Sequence, residues 1–263
     1  GHSEEPTAQT LGHAIPGRCW PDWLQALHVP LALLPRVGPA GHPSGRLAPQ
    51  SAERWGLPSD AHILAGTTDS TASFIATGAG PGDAVTALGS TLVLKVLSNQ
   101  PLFAPEYGIY SHRLGGNWLV GGASNSGGAV LQAYFTAAEI ERYAALMNID
   151  VPTGLDYYPL PAAGERFPVN DPTLMPRLQP RPADDVLFYQ GILEGIAAIE
   201  KRGYRKLAEL GAPWPERIIT TGGGAANAAW RTIRSRVTGV PVTAAVHQQA
   251  AYGAALLALK GSP

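Results

Sequence analysis

The sequence predicts a layered fold of mixed α and β structure, on three observations. Short β-type runs dominate residues 61–121, and strand and helix then alternate through the C-terminal third. Glycine-rich turns stand between several of these segments. Apolar residues make up 45% of the 263, enough for a buried core, which excludes wholesale disorder.

Residues 1–60 are punctuated by Pro and Gly. They hold one helix candidate, Trp20 to Leu27, with Pro21 near its start, where a missing N–H costs nothing. Glu4-Glu5-Pro6 and their neighbours read as a loose terminus over 1–17. A stretch so poor in periodic elements reads as the tail of a domain, which puts a boundary between 1–60 and 61–263. Ile63-Leu64-Ala65-Gly66 is then a short buried strand, closed by Thr67-Thr68-Asp69-Ser70. Ala84 to Leu88 and Leu92 to Leu97 read as strands broken at Gly89-Ser90-Thr91, a hairpin-type break. Trp118 to Gly121 is a further strand, and a helix runs from about Gly127 to Phe135. Eight prolines in 150–182 predict an irregular excursion. Ile192, Ile196, Ile199, Leu207 and Leu210 recur at helical spacing, with Gly211 as the stop. Arg217 to Thr221 is a strand, and Gly222-Gly223-Gly224 is a turn. Trp230, Ile233 and Val237 mark one face of a helix, Gly239 to Val242 is a short strand, and Ala250 to Lys260 is an Ala-rich helix.

Charge and cysteine usage remove several function classes. Nineteen Lys and Arg meet 20 Asp and Glu without long runs of either sign, which argues against a nucleic-acid partner. The charged share of 15% is below the ~25% of ordinary soluble domains and points to much buried or mated surface. Cys19 stands alone, so no internal disulfide forms, and no Cys/His cluster has zinc spacing; a reducing cytoplasm fits. No apolar run reaches the ~18 residues of a spanning helix, and residues 1–5 do not open a secretory signal, so no membrane partner is expected. The first residue is Gly rather than Met, so the chain is expected to begin inside a longer protein or after a cleaved tag.

Several segments can carry chemistry, each with a plain structural alternative. Gly222-Gly223-Gly224-Ala225-Ala226-Asn227 lies between a strand and a helix, where glycines admit a ligand close to the backbone and a helix start suits a phosphate. It equally serves as a tight turn, and it is neither a G-x-G-x-x-G nor a P-loop. Gly89-Ser90-Thr91 can cradle phosphate oxygens or simply turn a hairpin. Asp69, after a strand and before Ser70-Thr71-Ala72-Ser73, can take a proton from a substrate hydroxyl or cap a helix. Gly127-Gly128-Ala129-Val130-Leu131-Gln132 again opens a helix on glycines, with a close helix crossing as the alternative. His13, His112 and His247 read as solvated or core, Lys95 as outward-facing, and Glu194 and Glu200 as the solvated or interface face of the long helix.

The order of these segments is more specific than any one of them. Ala65-Gly66-Thr67-Thr68-Asp69-Ser70, Ala87-Leu88-Gly89-Ser90-Thr91-Leu92-Val93-Leu94-Lys95, Gly127-Gly128, Leu193-Glu194-Gly195-Ile196-Ala197 and Gly222-Gly223-Gly224-Ala225-Ala226-Asn227-Ala228-Ala229-Trp230 follow one another. Together they resemble the C-terminal half of the FGGY family of carbohydrate kinases over about residues 61–260, and most of all its D-ribulokinase/xylulokinase-like branch. The resemblance implies an actin-like ATPase (ribonuclease-H-like) domain, a mixed sheet flanked by helices. Residues 1–60 would then be a remnant of the family's first, sugar-binding domain, and 61–263 its nucleotide-binding domain. It also implies ATP and Mg²⁺ as cofactors and a small sugar, D-ribulose or D-xylulose, as substrate. By the same resemblance Asp69 is the general base and a metal ligand, and Ser70 a substrate-binding residue. Gly89, Ser90, Gly128, Gln132, Gly223, Gly224 and Asn227 would bind ATP. Such a reaction needs mainly positioning and charge stabilisation.

The departures from the family are as informative. The Asp-x-Gly-Thr segment with which relatives begin is absent, and Gln248-Gln249 stand where many relatives carry an acidic residue. The chain is therefore expected to be a C-terminal half, inactive alone and in need of an N-terminal kinase domain; a homodimer stays open. The rival expectations are a non-catalytic, regulatory nucleotide-binding module of the same fold and an acetate-kinase-like or simple ATPase member of the actin superfamily.

Overall fold

The computed structural model describes residues 2–10, 12–14 and 19–261. They fall into two units, one of residues 2–78, 112–118 and 247–261, the other of 79–111 and 119–246.

The first unit begins with strand β1 (His2–Glu4) and helix α1 (Glu5–Thr10). The loose terminus expected over 1–17 lies partly outside the described residues. Its described part is tied down: β1 pairs in parallel with β2, and Glu4, Glu5 and Ala8 are buried. Burial raises the Glu4 carboxyl's pKa, even though the Thr7 N–H donates to it at 3.0 Å. His13 is core rather than solvated, set edge-on against Trp20 with ring centroids 5.0 Å apart. The helix expected over Trp20 to Leu27 is shorter, α2 (Trp23–Ala26). There follow β2 (Arg36–Gly38), β3 (Pro43–Arg46), α3 (Pro49–Trp55), β4 (His62–Leu64) and α4 (Asp69–Ala76). The strand expected at Ile63 to Gly66 is β4, but it is not buried. It pairs only with β3 in a two-stranded sheet, which leaves Ile63 47% exposed.

The second unit is built on β5 (Asp83–Leu88) and β6 (Leu92–Ser98), joined at the Gly89-Ser90-Thr91 break. In β6, Leu92, Leu94 and Val96 point inward, and Lys95 takes the opposite face because side chains alternate along a strand. Strands β7 (Tyr110–Leu114) and β8 (Asn117–Ser124) come next, then α5 (Gly128–Tyr134) and α6 (Ala137–Leu146). The sequence reading placed no helix at α6, yet its start carries a signal. Thr136 and Glu139 form a reciprocal capping box.

Residues 147–184 form the expected excursion, without a regular element. Two carboxylates are among the groups that tie it down. Glu165 is buried and accepts from the Ser124 hydroxyl at 2.6 Å, the Asn125 N–H at 2.7 Å and the Tyr158 hydroxyl at 3.2 Å. Glu194 accepts from the Thr153 N–H at 3.0 Å and from Arg236 at 2.6 Å. Helix α7 (Asp185–Glu209) is 25 residues long; the Asp184 carboxylate caps it, and Gly211, at φ 105°, follows its end. Of the two faces that spacing left open for Glu194 and Glu200, solvated or interface, both take the interface. Glu194 clamps the excursion, and Glu200 is fully buried against Arg234. Then come β9 (Arg217–Thr221), α8 (Ala228–Thr238) and β10 (Val242–Ala244), the last falling just beyond the strand expected at Gly239 to Val242.

The sheet order is β10-β9-β5-β6-β8-β7. β10 and β9 are parallel, β9 and β5 are parallel, and β5 and β6 are antiparallel, so the sheet is mixed. Asp83 pairs in register with Arg217 and Ala87 with Thr221, which brings the turns after β5 and after β9 to the same end of the sheet. Helix α7 packs on β6 and α8, and Ile192, Leu193, Ile196, Ile199, Trp230 and Ile233 fill the core between them.

The closing helix α9 (Ala250–Gly261) returns to the first unit and packs on α4. Gly253 is its buried residue; a Cβ there would lie 1.8 Å from the Ala72 carbonyl oxygen.

Candidate nucleotide site and candidate catalytic aspartate

A cavity of about 380 Å³ opens in the second unit where the turns after β5 and β9 meet the start of α5. Gly89 and Ser90 line it from the first turn, Gly128 and Gln132 from α5, and Gly223, Gly224 and Asn227 from the second turn. These are all seven residues that the resemblance assigns to ATP, drawn from three separate stretches of chain.

Hydrogen bonds lock two of the three stretches together. The first N–H groups of α5 point back at the β5–β6 turn: Gly128 N–H donates to the Gly89 carbonyl at 2.8 Å and Ala129 N–H to that of Ser90 at 3.1 Å. These donors are spent inside the protein, so α5 braces the turn and does not itself offer them to an anion. Glycine is needed because a Cβ at Gly128 would lie 2.8 Å from the Gly89 oxygen. A Cβ at Gly224 would lie 2.6 Å from the Leu88 side chain, whereas at Gly223 it would meet nothing within 4 Å. Gly223 is thus the open face of its turn and Gly224 the packed one.

Asn227 is the N-cap of α8. Its Oδ1 accepts from the Trp230 N–H at 2.9 Å, and its Nδ2 donates to the Tyr189 hydroxyl at 3.4 Å. Leu88, Leu131, Ile140, Tyr189 and Trp230 supply the remaining wall. The sequence reading took these as core or passed over them. They are apolar or aromatic side chains at core spacing, and periodicity does not separate a cavity wall from a core face. The cavity walls are therefore apolar, and the polar groups sit on the two turns, the composition of a small-molecule site.

Asp69 and Ser70 belong to the first unit and are exposed, at the start of α4. Thr68 holds the N-cap position, without a side-chain cap bond, and Asp69 stands in the first turn. Its Oδ1 accepts from the Ser70 N–H at 2.6 Å. Among the described residues no group of three or more His, Cys, Asp and Glu is placed to hold a metal. An exposed carboxylate is the type of donor that Mg²⁺ arriving on substrate phosphates takes, one or two at a time with several waters kept. No described helix is long and apolar enough to cross a membrane.

Residues 84–262 match the model of the FGGY family of carbohydrate kinases, C-terminal domain, so the chain belongs to that family. The mixed sheet with flanking helices is its actin-like ATPase fold. The chain is 25% identical over 239 residues to an L-fuculokinase of Salmonella typhi, covering 84% of this chain and 48% of that protein. Its fold matches a xyloylose kinase from Brucella ovis with a TM-score of 0.87 at 22% identity, over 99% of this chain and 57% of that one. A xylulose kinase from Rhodospirillum rubrum matches with a TM-score of 0.83 at 24% identity, over 99% and 55%. The chain thus spans about half the length of the relatives it matches.

Proposed function

We propose that this chain is the nucleotide-binding half of an ATP-dependent carbohydrate kinase that phosphorylates a hydroxyl of a ketose or polyol, D-ribulose or D-xylulose by sequence branch. The observation that carries the reading is the convergence of Gly89, Ser90, Gly128, Gln132, Gly223, Gly224 and Asn227 on one cavity. The apolar wall suits a base, and the two glycine turns suit the ribose and phosphates. Asp69 is the general base: it takes the proton of the attacking sugar hydroxyl as the new O–P bond forms and ADP leaves. Ser70, beside it, contacts the sugar. The Asp69 carboxylate would also help hold Mg²⁺, whose charge offsets that of the phosphates.

The relatives are about twice as long, and the reading assigns the sugar's other contacts to a first domain of the kind that makes up the rest of their length. Cytoplasmic residence belongs to the same proposal.

The test is a coupled ADP-release assay with a panel of sugars and carboxylates, on the chain alone and on the chain rejoined to the first domain of a family relative. The expected result is negligible turnover alone, and sugar-dependent turnover in the rejoined protein that Asp69→Asn abolishes while ADP binding stays. Turnover of ~1–10³ s⁻¹ by the chain alone would contradict the half-enzyme reading. Indifference of the rejoined protein to Asp69→Asn would favour a regulatory nucleotide-binding module, and activity on carboxylates a different enzyme of the same fold.

A further inference from the structure

Tyr189 is fully buried on α7, next to Phe188, and is one of the residues that line the cavity. Two aromatic neighbours fix its ring: Phe135 edge-on at 5.6 Å between centroids, and Tyr143 tilted at 6.0 Å. The hydrogen bonding of its hydroxyl is half complete. The cap of α8 decides which end of the Asn227 amide faces it, because Oδ1 is committed to the Trp230 N–H and only Nδ2 remains. Nδ2 donates, so the phenol oxygen accepts, and the phenol's own O–H finds no acceptor among the described residues. A buried donor without an acceptor is costly unless something else supplies one. Burial raises the phenol's pKa to about 12, so the proton is present at neutral pH.

We infer that Tyr189 reads the nucleotide base: its O–H donates to a ring-nitrogen acceptor of a purine seated against Leu88, Leu131, Ile140 and Trp230. The inference rests on the reading of the cavity as the nucleotide site and adds to it a specificity-determining residue. A ring nitrogen is the partner that such a donor selects, since an amine or C–H at that place would leave the O–H unpaired. A site built around one hydrogen bond then discriminates against the analogue that lacks it. Asn227 holds the arrangement from behind, as the cap that aims Nδ2 at the phenol.

The experiment is calorimetric titration of the 263-residue chain and of Tyr189→Phe with ADP and with 1-deaza-, 3-deaza- and 7-deaza-ADP, with thermal midpoints recorded for both proteins. The expected result is that Tyr189→Phe binds ADP about five- to tenfold more weakly at an unchanged midpoint. One deaza analogue should bind the wild type more weakly by the same factor and show no further loss in the variant, as a shared hydrogen bond requires. ADP affinity unchanged in Tyr189→Phe overturns the inference and leaves the cavity's assignment standing. So does a uniform loss for every nucleotide with no analogue singled out by the wild type, the signature of packing alone. Absence of ADP binding by the wild type at millimolar concentration overturns the assignment of the cavity and the inference with it.

Discussion

Arg234 meets Glu200 through two hydrogen bonds, Nε to Oε2 at 2.7 Å and Nη2 to Oε1 at 2.6 Å, with each side chain 1% exposed. The pair joins α8 to α7, and it is not isolated. The Thr86 hydroxyl donates to Glu200 Oε1 at 2.5 Å, and Arg234 Nη1 donates to the Thr220 hydroxyl at 2.7 Å. Strands β5 and β9 are thereby fixed to both helices. A buried pair is dear to break from one side, because the partner left behind keeps its charge in a poor medium for it. Glu200→Gln is therefore expected to lose about 3–5 kcal/mol of stability in urea unfolding. A loss below about 1 kcal/mol would mean that the cluster relaxes or takes up water.

The glycines of the cavity separate into two kinds, and two substitutions distinguish them. Gly128→Ala puts a methyl 2.8 Å from the Gly89 oxygen, so α5 and the β5–β6 turn have to part. A cost of about 1–3 kcal/mol is expected, together with weaker ADP binding. Gly223→Ala meets no atom within 4 Å and is expected to keep the wild-type unfolding midpoint while its methyl intrudes on the cavity. Its ADP affinity, measured by calorimetry, should fall with stability unchanged. If Gly223→Ala binds ADP as well as the wild type, the nucleotide does not approach that turn.

The Asp83–Arg217 pair sets a dependence on acid. Arg217 donates to both carboxylate oxygens at 2.8 Å and, more than any other neighbour, holds the Asp83 pKa below its usual value. A carboxylate whose folded pKa is lowered stabilises the fold above the unfolded value, and that contribution disappears as the pH falls through the folded one. Asp83 is largely covered but Arg217 is half exposed, so the gain is at most about 1 kcal/mol. Asp83→Asn is expected to be less stable than the wild type at pH 7 by that amount, and the gap should close below pH 4. Urea midpoints at a series of pH values check it; a gap that persists at pH 2 would trace the loss to the backbone bond from Gly80 instead.

What could be read in advance follows from how local each signal is. Strands β5, β6, β8 and β9 and helices α7 to α9 announced themselves, because alternation, 3.6-residue spacing and glycine stops lie within the segment itself. The turns at 89–91 and 222–224 were ambiguous singly and became specific through their order along the chain. Glu200 was left open between solvent and an interface because its partner, Arg234, lies on another helix, and helical spacing carries no trace of it. Strand β4 was judged buried from its apolar letters, although burial depends on what packs over a strand. Tyr189 read as one more aromatic in a core helix. Its importance arises only where Asn227, committed to capping α8, turns its other end toward the phenol.

The close approach of Gly253 to the Ala72 backbone ties together two segments that are synthesised far apart. Residues 69–76 are synthesised long before residues 250–261, yet the face of α4 that Gly253 covers has no cover until α9 has emerged. The helix that begins with Asp69 is therefore expected to lack this cover over Ala72 while the second unit is translated. Anything that holds back the carboxyl end, such as a stalled ribosome or a bulky fusion, holds back the aspartate's helix too, however well the intervening unit has folded.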